Sequence, residues 1–249
     1  MAFAFLEHPG PLAFAHRGGA SDAPENTMPA FEHAVGLGYR YLETDVHVTT
    51  DGILLAFHDD VLDRVTDRSG VVNELPWSEV RQARVDGREP IPLLEELLGA
   101  WPDVRVNIDP KHDAAVPALV DVIVRTGAVD RVCIGSFSDE RLEWVRVALP
   151  GVCTSLGPLE TIQLGLAAQG DEVGELPAPC AQVPTSVGDI EIVTPEFVAA
   201  AHDRGLQVHV WTIDDAEEMV RLLDLGVDGI MTDRPGVLKD VLLRRGQWV

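Results

Sequence analysis

The chain has 249 residues, ample apolar content for a core and a formal net charge of −22. Such acidity argues against nucleic-acid or anionic-membrane partners, which call for basic patches, and a site that handles anions here needs local positive charge from a metal or a few placed cations. With no apolar run long enough to span a bilayer and no basic leader, a soluble, cytoplasmic protein with no stable membrane association is expected.

The length fits a single domain over residues 1–249, since α/β barrels reach about 250 residues as one unit. In chain order, short β-branched or apolar runs at Leu12–His16, Tyr41–Val46, Val104–Asp109, Val132–Gly135, Val152–Leu156, Ala181–Pro184, Gln207–Trp211 and Gly229–Thr232 alternate with amphipathic stretches. That alternation is the signature of repeated βα units, and eight parallel strands close a (β/α)₈ TIM barrel. Thr27 with Pro29, Thr194-Pro195-Glu196, and Asp214 ahead of 215–224 mark helix starts. Asp51-Gly52, flanked by alternating residues, predicts a two-residue hairpin turn, with Ile53–Phe57 returning antiparallel as an excursion after the second strand. That turn sets Asp45 opposite His58 and so places Glu43, Asp45 and His58 on one face. Helical patches at Pro76–Arg84 and Leu93–Trp101 extend the excursion, and 169–179 reads as an acidic loop. The three cysteines lack metal-ligand spacing and are read as reduced, mostly buried thiols with no disulfide.

Barrel strands pack helices outside and side chains inside, so polar residues at period two point inward or toward the mouth. Tyr41, Glu43 and Asp45 form one such row; Arg105, Asn107, Asp109 and Lys111 a second; Gln207, His209 and Trp211 a third. The deeper members suit a hydrogen-bonded interior. His16, Glu43, Asp45, Asp109 and Trp211 fall at strand carboxyl ends, the face where barrel enzymes build their sites. Clustered carboxylates repel unless a cation binds, and an imidazole beside them moves protons.

Ala15-His16-Arg17-Gly18, Ala23-Pro24-Glu25-Asn26-Thr27, Glu43-Thr44-Asp45-Val46, Thr50-Asp51-Gly52, His58-Asp59, Val210-Trp211-Thr212 and Asp228-Gly229-Ile230-Met231-Thr232-Asp233 occur in that order. Together they resemble the glycerophosphodiester phosphodiesterase family of the phospholipase C-like phosphodiesterases, whose fold is also a (β/α)₈ barrel. The resemblance implies metal-dependent hydrolysis of small-molecule glycerophosphodiesters to sn-glycerol 3-phosphate and an alcohol. It implies Glu43 and Asp45 as ligands of one divalent cation, Mg²⁺ or Ca²⁺, and His16 and His58 as general acid and base. Asp109-Pro110-Lys111 keeps the family's carboxylate-to-lysine spacing with a side chain one methylene shorter, so Asp109 ligates through a shifted ion or a bridging water. Arg17 and Lys111 would hold phosphate oxygens, and Trp211 would pack beside the glycerol or leaving group. A cyclic phosphate intermediate suits the two imidazoles.

Glu25 and Asn26 are read as approaching the site or capping the helix near Thr27, Asp233 as a cap of the last helix, and Arg64 as structural. His8, His33, His47, His112 and His202 are read as surface or packing residues. A phospholipase D or sphingomyelinase-like enzyme needs a broad apolar approach, and no exposed hydrophobic segment is evident in the sequence. A polymer-degrading member should be exported. A non-catalytic phosphodiester-binding barrel is favoured only by the Asp109 departure, and a two-zinc hydrolase calls for His-x-His where this chain has His-Arg. The sequence sets no oligomeric state.

Overall fold

A computed structural model describes residues 3–249. Its sheet contains β1 (Leu12–Ala15), β2 (Tyr41–Val48), β3 (Leu54–Ala56), β4 (Arg105–Pro110), β5 (Val132–Ile134), β6 (Cys153–Thr154), β7 (Cys180–Pro184), β8 (Gln207–Trp211) and β9 (Gly229–Thr232). The eight parallel strands run in the order β6-β5-β4-β2-β1-β9-β8-β7, with β3 antiparallel on β2. One parallel bridge, Ser155 to Cys180, joins the two ends of that row. The fold is a (β/α)₈ barrel, with a thin seam between β6 and β7.

Helices α1 (Met28–Gly36), α2 (Trp77–Val80), α3 (Leu94–Ala100), α4 (Ala115–Thr126), α5 (Asp139–Ala148), α6 (Pro158–Ala168), α7 (Pro195–His202), α8 (Ala216–Leu225) and α9 (Pro235–Arg244) follow the strands, with α2 inside the excursion. Thr27 and Thr194 cap α1 and α7 through Ala30 N–H and Phe197 N–H. The cap of α8 is Asp215, which accepts from Glu217 and Glu218 N–H. Asp214 instead accepts from the Thr232 hydroxyl and Asp233 N–H at 2.9 and 2.8 Å, tying the β8 loop to β9.

Alternation along each strand separates two cores. Ala13, Ala15, Leu42, Val106, Ile108, Val208 and Val210 face the helices. Phe5, Leu12, Phe14, Tyr41, Cys133, Cys153, Cys180 and Met231 fill the barrel interior. Phe5 comes from the short 3-10 turn Ala4–Leu6, which crosses the barrel floor. The Tyr41 hydroxyl donates to Phe5 O at 3.0 Å, Arg105 to Glu7 O at 2.9 Å and Gln207 to Leu6 O at 3.2 Å. Burying one such phenyl ring contributes roughly 1.5–3 kcal/mol. Above the floor, Gln182 donates to Asn107 Oδ1 at 2.8 Å and His209 Nε2 meets Gln207 Oε1 at 3.0 Å, the hydrogen-bonded interior expected from the inward polar rows.

The hairpin differs from the predicted register. Its loop has three residues, with Thr49 N–H to Ile53 O and Gly52 N–H to Thr49 O both at 3.0 Å. Pairing therefore runs Val46 with Ala56 and Val48 with Leu54, which sets Phe57, not His58, opposite Asp45. The cause is Asp51, whose carboxylate accepts from the Thr49 hydroxyl at 2.6 Å and from Trp77 N–H at 2.9 Å. It is drawn into holding the start of α2, and the turn closes one residue longer, between Thr49 and Ile53. The excursion packs its own core from Leu55, Phe57, Leu62, Val72, Val80, Ala83, Val85 and Ile91.

Candidate active site

At the end of β1 the chain must turn sharply to deliver consecutive polar side chains to the mouth. Arg17 adopts a left-handed conformation (φ 52°), followed by Gly18 and Gly19 at φ 84° and 95°. A Cβ on Gly18 would lie 2.8 Å from Ala30 Cβ and one on Gly19 2.6 Å from Pro235 Cγ, so only glycine lets this turn seat against α1 and α9. His16 Nδ1 then meets Asp233 Oδ1 at 2.7 Å, while its Nε2 lies 3.8 Å from Glu43 Oε2. Since a carboxylate only accepts, Nδ1 carries the proton and Nε2 faces the carboxylates. Burial lowers the His16 pKa, but the Glu43 charge and the Asp233 hydrogen bond outweigh it and raise it overall.

Glu43, Asp45 and Asp109 stand side by side on β2 and β4, in register at Asp45 and Asp109, and all three are buried. Glu43 accepts from Arg17 N–H at 3.0 Å. Burial and the neighbouring Asp45 push its pKa up to about 7. Asp45 stays below the usual range despite burial, because Lys111, Arg17 and His58 favour its charge. Lys111 Nζ lies 2.7 Å from both Asp45 Oδ1 and Asp109 Oδ2. Arg17 Nε is 3.2 Å from Asp45 Oδ2, close enough for an ion pair yet without hydrogen-bond alignment. Burial raises the Asp109 pKa against the pull of Lys111, and its Oδ1 has no hydrogen-bond partner among the described residues.

His58 lies just past β3, where the strand rule no longer assigns faces, one residue beyond the Phe57 N–H that donates to Asp45 O at 2.9 Å. The ladder pairing from which the sequence reading argued convergence is replaced by one that sets Phe57 opposite Asp45. His58 Nδ1 hydrogen-bonds Asp59, which Arg64 grips through both oxygens; Arg64 also grips both oxygens of Glu25, and Glu25 holds Arg17 at 3.1 Å. An open groove of about 660 Å³ runs beside this network between residues 20–25, 64–67 and 85–88, outside the histidines themselves. Trp211 stands at the rim in edge-to-face contact with Phe137, ring centroids 5.6 Å apart.

Of four supporting residues, Asp233 departs from the reading made from sequence, while Asn26, Glu25 and His47 take one of the alternatives that reading left open. Asp233 holds His16 rather than capping α9, whose start has no side-chain cap. Asn26 is buried, donating to Asp45 Oδ2 at 3.3 Å and accepting from the Thr44 hydroxyl at 2.7 Å, while Thr27 alone caps α1. Glu25 belongs to the arginine network. His47 is buried, and its Nε2 meets the His58 carbonyl at 2.9 Å. The available signal for His47 was that it continues the inward period-two row of Tyr41, Glu43 and Asp45 on β2; Asp233 offered none, because Asp-Arg-Pro fits a helix start equally well.

The family model of the glycerophosphoryl diester phosphodiesterases matches residues 16–237. The chain is 43% identical to a "Probable glycerophosphodiester phosphodiesterase 2" of Mycobacterium tuberculosis, over 98% of this chain and 95% of that one. It is 27% identical to the lysophospholipase D GDPD1 of Homo sapiens, over 92% and 85% of the two chains. The crystal structure of a putative glycerophosphoryl diester phosphodiesterase from Silicibacter pomeroyi superposes with a TM-score of 0.84 at 26% identity, covering 100% of both chains. A match of this extent, on a barrel whose mouth gathers the motif residues, places the chain in the glycerophosphoryl diester phosphodiesterase family, as a phosphoric diester hydrolase.

Proposed function

We propose that the mouth hydrolyses glycerophosphodiesters to sn-glycerol 3-phosphate and an alcohol, with His16 and His58 exchanging protons and Glu43, Asp45 and Asp109 holding one divalent cation. The observation that carries this reading is a pair of imidazoles, each with a carboxylate on Nδ1, beside a buried trio of carboxylates. The donor set fits a cation. Asp109 Oδ1 is buried without a hydrogen-bond partner among the described residues, and Glu43 is pushed toward protonation by burial and by the Asp45 charge. All-oxygen donors suit a hard ion, Mg²⁺ or Ca²⁺. Such an ion, when bound, would neutralise phosphate charge and ease deprotonation of a nearby hydroxyl.

The side chains themselves divide the remaining tasks. With Nδ1–H fixed on Asp233 or Asp59, each histidine presents Nε2 as the working atom. One Nε2 takes the proton of the glycerol 2-hydroxyl as that oxygen bonds to phosphorus. The other gives a proton to the alcohol oxygen as its P–O bond breaks. Water then opens the cyclic phosphate with the two roles exchanged. Arg17 presents a fork already oriented by Glu25 and Asp45, and Lys111 a point charge that can turn from Asp45 and Asp109 to a phosphate oxygen. Trp211 supplies an apolar wall for the glycerol or the departing alcohol.

The test is release of sn-glycerol 3-phosphate from a panel of glycerophosphodiesters by EDTA-treated protein, with Mg²⁺ or Ca²⁺ restored and His16→Ala as control. Turnover that needs the ion and vanishes in the variant is expected; turnover unaffected by EDTA or by the substitution would sink the reading.

A specific observation also favours a lysophospholipid substrate. No apolar approach is evident in the sequence, yet Phe137 is 67% exposed beside Trp211, and Leu159 at the start of α6 and Val187 and Ile190 in the connection after β7 are exposed. These residues follow the carboxyl ends of adjacent strands, where they would supply an apolar rim. Release of choline from lysophosphatidylcholine, reduced by Phe137→Ser without loss on glycerophosphocholine, is the expected sign of that substrate.

A further inference from the structure

Below the mouth, the barrel interior holds nucleophilic groups for which phosphodiester hydrolysis has no use. Cys133, Cys153 and Cys180 lie on the adjacent strands β5, β6 and β7, with Cys133 paired to Cys153 and Cys180 bridged to Ser155. Their exposures are 0%, 2% and 0%, all three are free thiols, and their Sγ atoms lie within 4.8 Å of one another. The sequence spacing of the three residues conceals this, because it is the lateral order of strands that brings them into one layer.

We infer that Cys133, Cys153 and Cys180, with His209 as a fourth donor, form a structural site for one thiophilic divalent cation, Zn²⁺ or its probe Cd²⁺. A Zn–S bond of about 2.3 Å puts coordinated sulfurs about 3.8–4.0 Å apart, so the thiols need to close in by less than about 1 Å. The imidazole within hydrogen-bond reach of Cys180 is held in the tautomer that ligation through Nδ1 calls for. His209 is fully buried, Gln207 Oε1 meets its Nε2 at 3.0 Å and the Gln182 amide meets its Nδ1 at 3.4 Å. A carbonyl oxygen accepts and an amide nitrogen donates, so Nε2 carries the proton and the Nδ1 lone pair is taken by the Gln182 amide, which lies 4.0 Å from Cys133 Sγ and would yield that lone pair to an ion. A ligand histidine is ordinarily fixed in this way, its other ring N–H given to a carbonyl or carboxylate.

Binding replaces three S–H bonds by three metal–sulfur bonds and releases three protons; nothing is oxidised. The resulting complex carries one negative charge, in a layer walled by Phe5, Leu12, Phe14, Tyr41 and Met231. Arg105 supplies the compensating cation from the floor, 5.3 Å from the Tyr41 ring centroid and donating to the Tyr41 hydroxyl. The site also falls where the barrel needs a clamp. β6 has two residues and meets β7 through a single bridge, so an ion held by β5, β6 and β7 would close the seam. Sulfur donors below and oxygen donors above would let one barrel sort a soft ion from a hard one.

Because the thiols are buried, the ion enters as the chain folds, and the test is refolding of the full chain from denaturant with Cd²⁺, followed by an EDTA wash. Expected are one retained cadmium per chain, thiolate-to-cadmium charge-transfer absorption and a raised unfolding temperature, with the band kept in Asp45→Asn and lost in Cys153→Ala. Should Cys153→Ala fail to fold, the wild-type spectrum and a thiol count decide alone. Folded wild-type protein with three titratable thiols and no charge-transfer band, or with a disulfide among the three, would overturn the inference.

Discussion

His16 and His58 each rest Nδ1 on a carboxylate, but the two halves of the mouth are built differently. His16 sits at the end of β1, 14% exposed at its side chain, with Asp233 just past β9 and Glu43 on β2. His58 sits on the excursion, 33% exposed, and its partner Asp59 belongs to a chain of ion pairs through Arg64 to Glu25. The first half is rigid because its partners are strand ends packed on a core. The second hangs from the pairing of β3 on β2 and is tied to Glu25 through a chain of ion pairs whose central Arg64 is 48% exposed. A site that must seize a substrate and release two products gains from having one fixed proton carrier and one on an adjustable support.

Removing either imaging partner of this comparison outright should have the largest effect. His16→Ala and His58→Ala are each expected to lower kcat by about 10²- to 10⁴-fold, measured as sn-glycerol 3-phosphate release at saturating substrate; a loss below tenfold in either would remove that residue from the proton-transfer role. Next come the orienting carboxylates. Asp233→Asn should lower kcat by about 10- to 100-fold with KM nearly unchanged, the size seen when a histidine loses its outer partner. Asp59→Asn should cost less, because His47 still holds the His58 carbonyl at 2.9 Å. Equal losses in the two variants would show that the halves are not held differently. His47→Phe keeps the ring volume but leaves that carbonyl without its donor, a loss of about 1–3 kcal/mol in stability if it stays buried, together with a several-fold fall in kcat; urea unfolding and kinetics on the same preparation separate the two effects.

Most of the barrel half is written in its strands. Tyr41-Glu43-Asp45 and Arg105-Asn107-Asp109 alternate with apolar residues that face the helices, so their direction follows from period two alone. The excursion is less legible because its register depends on a side chain. Asp51 binds Thr49 and Trp77, the loop gains a residue, and a one-residue slip exchanges the faces of a strand. Partnerships across the whole chain are not legible at all. Asp233 and His16 are 217 positions apart and meet only because β9 pairs with β1. The cysteine layer has the same origin, since which strand residues share a level depends on the stagger of the closed sheet.

The smallest expected effect tests how the adjustable half is held. Arg64 donates to both oxygens of Asp59 and of Glu25. Its hydrogen bonds are the main cause holding the Asp59 carboxyl below the usual range, and with Arg17 they hold Glu25 below it as well, against a burial that raises it. Both groups therefore have folded pKa values below their unfolded ones, about 3.9 and 4.3. Carboxyls of this kind stabilise the fold fully above the unfolded pKa and lose that contribution as pH falls through the folded value. Arg64→Met removes the cation and lets both values rise. The stability gap between wild type and variant should be widest near neutrality, narrow below about pH 4 and shrink with added salt, since Arg64 is 48% exposed. Unfolding midpoints across that pH range measure it. A gap that stays constant with pH and salt would mean that Arg64 supports His58 by packing, and the excursion would then be as firmly set as the barrel beneath it.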